Sequence, residues 1–580
     1  MRKILAVLLA AMMVLGAVAC SNDTEVSSSI PDLMIEDVEQ TTTTAQGADE
    51  EISTTAGRCP TVANSSTQQD SSDSTKTTAS KDNGNKDNGK SDPSTSSGNG
   101  SSVTNWEKPV TYNTAILYNP QSSSYDADAE KKRLSIVNSK SAVGPSADGK
   151  TYYVSPKGND DNDGLSPANA WRTPENLHSI ARFRPGDVVL FERGAVYRGY
   201  VYMASGVSYG AYGDASLPKP AIYGSVRNYA DPSLWKETKR ENVWKLDVGV
   251  GTPDVGNIVF NHGRVCASDF KQTENVLAGD FQFYHDEDNG VVYMYLSMGN
   301  PGDLYNDIEV CVKRPVFGRL NGAEVYGVTV DNLCLKYSGS FGIVFNKTSN
   351  ITVTNCEIGY IGGSMMNEEV RYGNGIEFNS HVETALIKDN WIYQCYDAGY
   401  TNQGRGAKHN NIHVTGNLVE YCNYNFEIFC GNPQSDGTYT GLMTNCVFEN
   451  NVLRFAGYGF GTNNRLGSSD IVASNICYWY SFEPSKDTYI RGNVLDTAYR
   501  YLLVAAYVND QHELAPIVTG NMWIQHKDEK KPCAVALQVD TKVHGWKTFD
   551  QHVLSSKSLA DMTASVKKID KSPAGIRFEG

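Results

Sequence analysis

A six-residue pattern of apolar, any, small or Asn/Asp, usually Asn, any, apolar recurs through the C-terminal half of the chain. It reads VDNLCL, VTNCEI, IKDNWI, VTGNLV, FENNVL, VASNIC, IRGNVL and VTGNMW, starting at Val330, Val353, Ile387, Val414, Phe448, Val472, Ile490 and Val518. The intervals between starts are 23, 34, 27, 34, 24, 18 and 28 residues. A constant strand separated by loops of unequal length predicts a solenoid of stacked coils and argues against helical repeats of fixed size. The fourth position is Asn390, Asn417, Asn451, Asn475, Asn493 and Asn521. Asparagine at one register predicts a ladder of side-chain amides bonded from coil to coil. A second strand is expected about twelve residues after each start, at Gly342, Gly375-Ile376, Gly399 and Phe426.

Other segments break this rhythm. Thr173-Pro174-Glu175 before NLHSIARF predicts a short helix with Thr173 as N-cap and Pro174 at its first position, covering the open end of the stack. The run Asn159–Gly164 begins with Asn and has Ala170 where a calcium loop needs glutamate, so it is read as a turn. Between Val201 and Leu320 the repeat fades, and DFQFYHDEDNGVVYMYL predicts a hairpin around Asp-Asn-Gly. His262 and His285 lack ligand spacing and are read as ordinary polar residues.

The N-terminus has a different character. After Met-Arg-Lys, an apolar run from Ile4 to Ala19 is too short to span a bilayer and sits where an export signal belongs. Cys20 follows Ala17-Val18-Ala19, which resembles the lipobox of bacterial lipoproteins, with Ala17 where leucine is usual; an ordinary A-x-A cleavage site is the alternative. Residues 21–105 are Ser, Thr, Asp, Asn, Gly and Lys with few large apolar residues, a composition expected to remain disordered. As a coil, this linker would hold a catalytic body roughly 50 Å from its anchor. The expected organisation is a signal peptide at 1–19, an anchor and linker at 20–105, a lead-in at 106–150, the solenoid at 151–545 and a tail at 546–580.

Composition narrows the partners. A formal charge of -15 speaks against nucleic acid and strongly anionic polymers, and residues 371–430 carry six Asp/Glu against four Lys/Arg. Thirty-three tyrosines suit stacking on sugar rings, although any one of them can simply pack. Cys395 and Cys422 each lie eight positions after a repeat start and should stack one coil apart. They are read as reduced thiols filling the core, with a disulfide as the alternative.

The opening from Tyr152 to Gly199, YYVSPKGNDDNDGLSPANAWRTPENLHSIARFRPGDVVLFERGAVYRG, resembles the start of right-handed parallel β-helix proteins of the pectate-lyase-like superfamily. The blocks GNIVFNHG, RYGNGIE, YDAGYTNQ and NYNFEIF are most similar to glycoside hydrolase family 141, whose activities are xylanase and α-L-fucosidase. The resemblance implies an all-β, right-handed parallel β-helix with a short N-terminal capping helix. With those activities, the expected substrate is plant cell-wall polysaccharide; the export signal and Cys20 predict a surface-tethered protein, expected to be a monomer, and the local acidity without a tight acidic cluster predicts hydrolysis with no cofactor or metal.

Within RYGNGIE to NYNFEIF stand three carboxylates, Glu377, Asp397 and Glu427. Glu377 and Glu427 fall on the second strand, two coils apart, and Asp397 just ahead of it, one coil from each. Spacings of about 5 Å and 10 Å match the retaining and inverting geometries of glycoside hydrolysis. The expected assignment is Asp397 as nucleophile or base, Glu427 as proton donor, and Glu377 orienting substrate beside Arg405. Tyr372, Asn374, Tyr396, Asn402, Gln403 and Asn425 are the expected substrate contacts. Glu420 is read as a solvated strand residue, and a salt bridge to Arg371 or Arg405 is the structural alternative for Glu377. A polysaccharide lyase using Lys408 or Arg405 as base and a non-catalytic glycan-binding protein are the rival functions.

Overall fold

In the computed structural model, three rows of short parallel strands alternate along the chain, so that each coil contributes one strand to each row. The structure describes residues 121–319, 323–366, 370–433, 439–461, 473–479, 485–505, 516–526, 535–537 and 576–579. The first row carries the repeat. Val330, Val353, Ile387, Val414, Phe448, Ile490 and Val518 pair residue for residue in parallel register. The second row stacks Ile222, Leu335, Ile358, Ile392, Val419, Leu453, Leu495 and Trp523. The third stacks Phe317, Ile343, Ile376, Tyr400, Phe426, Ile476 and Leu503. These side chains fill one continuous buried core, and the fold is the parallel β-helix.

The turn between the first and second rows explains the repeat. Its third position holds Asn332, Asn355, Asp389, Gly416, Asn450, Gly492 and Gly520, all with φ between 53° and 66°. Only Gly, Asn and Asp take this left-handed conformation at little cost. The fourth position then turns its amide inward. Asn390 donates its backbone N–H to Asn417 Oδ1 at 2.9 Å and its Nδ2 to Val353 O at 2.9 Å. The same pattern runs from Asn417 to Asn451, Asn493 and Asn521. Asn475 is not part of the ladder. It lies in the third row, where Asn425 Nδ2 donates to its Oδ1 at 2.7 Å. VASNIC has Ser474 where the turn needs a left-handed residue, and Phe448 pairs directly with Ile490 across one long coil.

Between Tyr223 and Phe317 an antiparallel module interrupts the coils. It contains a sheet with the predicted hairpin, Gln282–Asp286 against Val291–Tyr295, and a three-stranded sheet of Val255–Phe260, Val265–Ala267 and Ile308–Val312. It has its own core. The segment expected to form a capping helix makes two 3-10 turns, Pro174–His178 and Ile180–Arg182. Thr173 makes no side-chain cap to its own helix. Instead Asp160, from the Asn159–Gly164 turn, accepts the N–H groups of Arg172 and Thr173 at 2.8 and 2.9 Å.

The α-helix near the N-terminus is Asp126–Val137 (α1). Arg133 of α1 lies 5.1 Å from the Trp391 ring centroid, over the outer face of the second row. That cover corrects the reading of Glu420, which is buried and accepts Trp391 Nε1–H at 2.9 Å. The tail also joins the stack, Ile576–Glu579 pairing in parallel with Met522–His526. The free cysteines among the described residues are all buried, Cys395 and Cys422 included. Cys20 lies outside the described residues.

Candidate active site

The site is built on the third row, whose strands we label β1 (Ile343–Thr354), β2 (Ile376–Lys388), β3 (Ala398–Gln403), β4 (Tyr424–Phe429) and β5 (Ser474–Tyr478), β1 and β2 running on into the first row. Side chains alternate across each strand. Ile376 and Phe378, Tyr400, and Phe426 and Ile428 enter the core. Glu377, Thr401 and Glu427 therefore share the outer face, and they pair in one register row, Glu377 with Thr401 and Thr401 with Glu427. Two strand spacings separate the glutamates, roughly 10 Å along the stack. Both are buried, 5% and 4% exposed.

A close crossing of backbones places the first of them. Gly373 has φ 148°, and a Cβ there would lie 2.0 Å from Gly362 Cα, so RYGNG needs glycine to enter β2. Asn374 then bridges coils: its Oδ1 accepts Ala398 N–H at 2.7 Å and its Nδ2 donates to Glu377 Oε2 at 2.6 Å. Burial pushes the Glu377 carboxyl up to about 8, and the charges of Glu427 and Asp397 push the same way against the Asn374 hydrogen bond and Arg319. Near neutral pH this carboxyl keeps its proton.

Glu427 has a different environment. Its Oε2 accepts from Thr401 Oγ1 at 3.0 Å and Gln403 Nε2 at 2.9 Å, and its Oε1 accepts Trp479 Nε1–H at 2.6 Å. Such donors stabilise the carboxylate. Asp397 is 7% exposed; its N–H donates to Gly373 O and its carbonyl accepts Tyr424 N–H, each at 3.0 Å. It enters β3 one coil after Glu377 and one before Glu427.

The expected contact residues divide. Asn374 and Gln403 bond the two glutamates directly. Tyr372 lies close enough for the charge of Glu377, after burial, to push its hydroxyl up; its ring packs 5.2 Å from Phe341. Arg405 is exposed on a turn between Gly404 and Gly406, 5.8 Å from the Phe429 ring centroid. The other three point elsewhere: Tyr396 is fully buried beside Phe460, Asn402 bonds His409 inside the coil at 2.9 Å, and Asn425 bonds Arg454 O and Asn475. Arg371 donates to Gly363 O and Gly256 O and lies over Phe270, so its role is to tie the module to the coils.

Thr401, Trp479 and Arg319 are additions that the sequence reading missed. Trp479 was hidden because VASNIC was assigned to the first row; aligning Cys477 with Glu427, as the strands pair, brings ICYW beside the site.

Among the described residues, one side-chain group has metal-like spacing. Ligand atoms of Asp254, His285 and Glu287 lie within 4.8 Å of one another. His285 Nδ1 accepts Val255 N–H at 3.3 Å, and its buried Nε2 has no hydrogen-bond partner among the described residues.

No family model and no curated protein matches the sequence. Among solved structures, the chain is similar to the complex of XylC with xylose, at 12% identity and TM-score 0.42 over 70% of each chain. It is also similar to a glycoside hydrolase, at 11% identity and TM-score 0.40 over 71% of this chain and 98% of that one. A third similar structure is the polygalacturonase from Erwinia carotovora, at 10% identity and TM-score 0.30 over 71% of this chain and 97% of that one.

Proposed function

We propose that the protein is a glycoside hydrolase in which Glu377 donates the proton and Glu427 is the base. The observation that carries this reading is the contrast between two carboxyl groups on one row. Glu377 is held protonated by burial, whereas Glu427 is held by Thr401, Gln403 and Trp479. Two carboxyl groups whose surroundings separate their protonation states supply an acid and a base at the same pH.

This division of labour differs from the one expected from sequence, in which Glu427 was the donor. Phe426 and Ile428, the apolar neighbours behind that expectation, face the core and leave Glu427 among polar donors. In the forward step the Glu377 proton passes to the glycosidic oxygen as the bond to the anomeric carbon breaks. Glu427 takes a proton from the water that attacks that carbon. A separation of two coils leaves room for that water and favours inversion. Asp397 becomes the nucleophile if configuration is retained.

The similarity of RYGNGIE, YDAGYTNQ and NYNFEIF to family 141 supports plant cell-wall glycans, xylan-type or fucosylated and pectic, as substrates. The export signal and Cys20 support a lipoprotein tethered outside a bacterial cell, acting as a monomer. The test is incubation with xylan, fucosylated and pectic oligosaccharides, with reducing ends measured. New reducing ends that disappear in Glu377→Gln and Glu427→Gln support the reading. Products absorbing in the ultraviolet as unsaturated uronides would replace it with a lyase.

A further inference from the structure

We propose that Trp479 is a positioning residue for Glu427, holding that carboxylate in orientation and in its charged form through the indole N–H. The proposal builds on the reading of Glu427 as base. It concerns a residue outside the strands that carry the three carboxylates.

The geometry is specific. Trp479 follows β5, one coil beyond Glu427, and its backbone N–H donates to Ile428 O at 3.0 Å. Its ring meets Tyr424 edge to face with centroids 5.8 Å apart. Backbone and ring are thus both fixed to β4, which carries Glu427, and the indole N–H reaches Oε1 at 2.6 Å. The other oxygen is held from the preceding coil, by Thr401 and Gln403. Gln403 is itself anchored, its carbonyl 3.2 Å from His409 Nε2. Donors from the coil before and the coil after therefore clamp one carboxylate from two sides.

An indole N–H only donates. A protonated Glu427 would turn one oxygen into a hydroxyl, and if that oxygen were Oε1, its proton would compete with the indole for the same space. A proton on Oε2 could be accepted by the Thr401 hydroxyl, whereas the indole N–H cannot accept one on Oε1. Trp479 thereby disfavours the neutral form that carries its proton on Oε1. It also fixes the plane of the carboxylate, which sets the oxygen available to a water or sugar hydroxyl.

The test needs no substrate. Glu427 carboxyl carbon and Trp479 indole N–H resonances are followed by NMR across pH in the full chain, with Glu427→Gln supplying the assignment. The indole N–H should shift with the same midpoint as the Glu427 carboxyl. In Trp479→Phe, which keeps an apolar ring but removes the donor, the Glu427 midpoint should rise by about one pH unit. An indole resonance that ignores the Glu427 titration overturns the proposal, as does an unchanged midpoint in Trp479→Phe. If that variant fails to fold, the wild-type indole titration alone decides. Absence of glycosidase activity with a coupled titration would sink the proposed reaction and leave the positioning role standing.

Discussion

Glu377 and Glu427 stand in one register row, with Thr401 on the coil between them. Their backbones are roughly 10 Å apart, which suits a water between sugar and base. The anomeric configuration of the first product, read by proton NMR within minutes of mixing, should therefore be inverted. Glu377→Gln and Glu427→Gln should each lower kcat by about 10²–10⁴-fold while the fold persists. Retained configuration would move the second carboxylate role to Asp397.

The pH profile should carry the signature of Glu377. As the donor must be protonated, activity should fall on the alkaline side near its raised value of about 8. The charge of Asp397 is one cause that raises it. Asp397→Asn removes that charge, so Glu377 should ionise more readily and the alkaline limb should move to lower pH. Turnover abolished at every pH in this variant would make Asp397 the nucleophile or base.

Stability should respond to the same group. Glu377 holds its proton more tightly folded, at about 8, than unfolded, near the model-peptide value of 4.5. The folded state then binds more protons between these values, so this residue makes stability decline as pH rises through that window. Glu377→Gln should flatten the decline, and its Tm should exceed that of the parent more at pH 8.5 than at pH 4.5. An equal Tm difference at both pH values would mean that the carboxyl is ionised in the fold.

Much of the architecture was legible because stacking imposes one chemistry at one position. The left-handed turn demands Gly, Asn or Asp at Asn332, Asp389 and Gly416, and the amide ladder demands Asn at the next position, so both are visible as a repeat. Asn475 misled because its motif matches in letters while its backbone lies in another row. The capping segment starts at Pro174 as expected but is 3-10 for a local reason: the chain forms two short turns meeting at Ser179, whose ψ of 64° is not helical. The carboxylates could be located from spacing. Their separate environments could not, because Thr401, Gln403 and Trp479 reach Glu427 from different coils, and partners that distant leave no local pattern.

The ladder itself should be costly to break. Asn417 Oδ1 accepts the buried Asn390 N–H, and its Nδ2 donates to Ile387 O and Asn451 Oδ1. Asn417→Ala strands these groups without room for bulk water. A loss of about 2–4 kcal/mol is expected, more than for one exposed hydrogen bond. Urea unfolding midpoints measure it, and a loss under about 0.5 kcal/mol would show that the stack relaxes to pair the orphaned groups.

The outer face of the second row gives the last prediction, since it buries charge under α1. Arg454 pairs with Asp126 of α1 and with Asp496 at 3.2 Å. Burial raises both Glu420 and Asp496, and Arg454 is the leading influence that lowers each again. Arg454→Met keeps an unbranched stem and removes the cation, leaving two buried carboxyls without their main partner. Removing one member of a buried ionic group costs about 3–5 kcal/mol, chiefly through the charges left behind. Those charges can be cancelled by protonation. The variant should therefore be strongly destabilised at pH 8 and recover part of the difference at pH 4.5, where Glu420 and Asp496 take up protons. Urea midpoints at the two values check the sign. A deficit that is the same at both would locate the role of Arg454 in packing, where its guanidinium lies 4.1 Å from the Phe455 ring centroid, and not in charge.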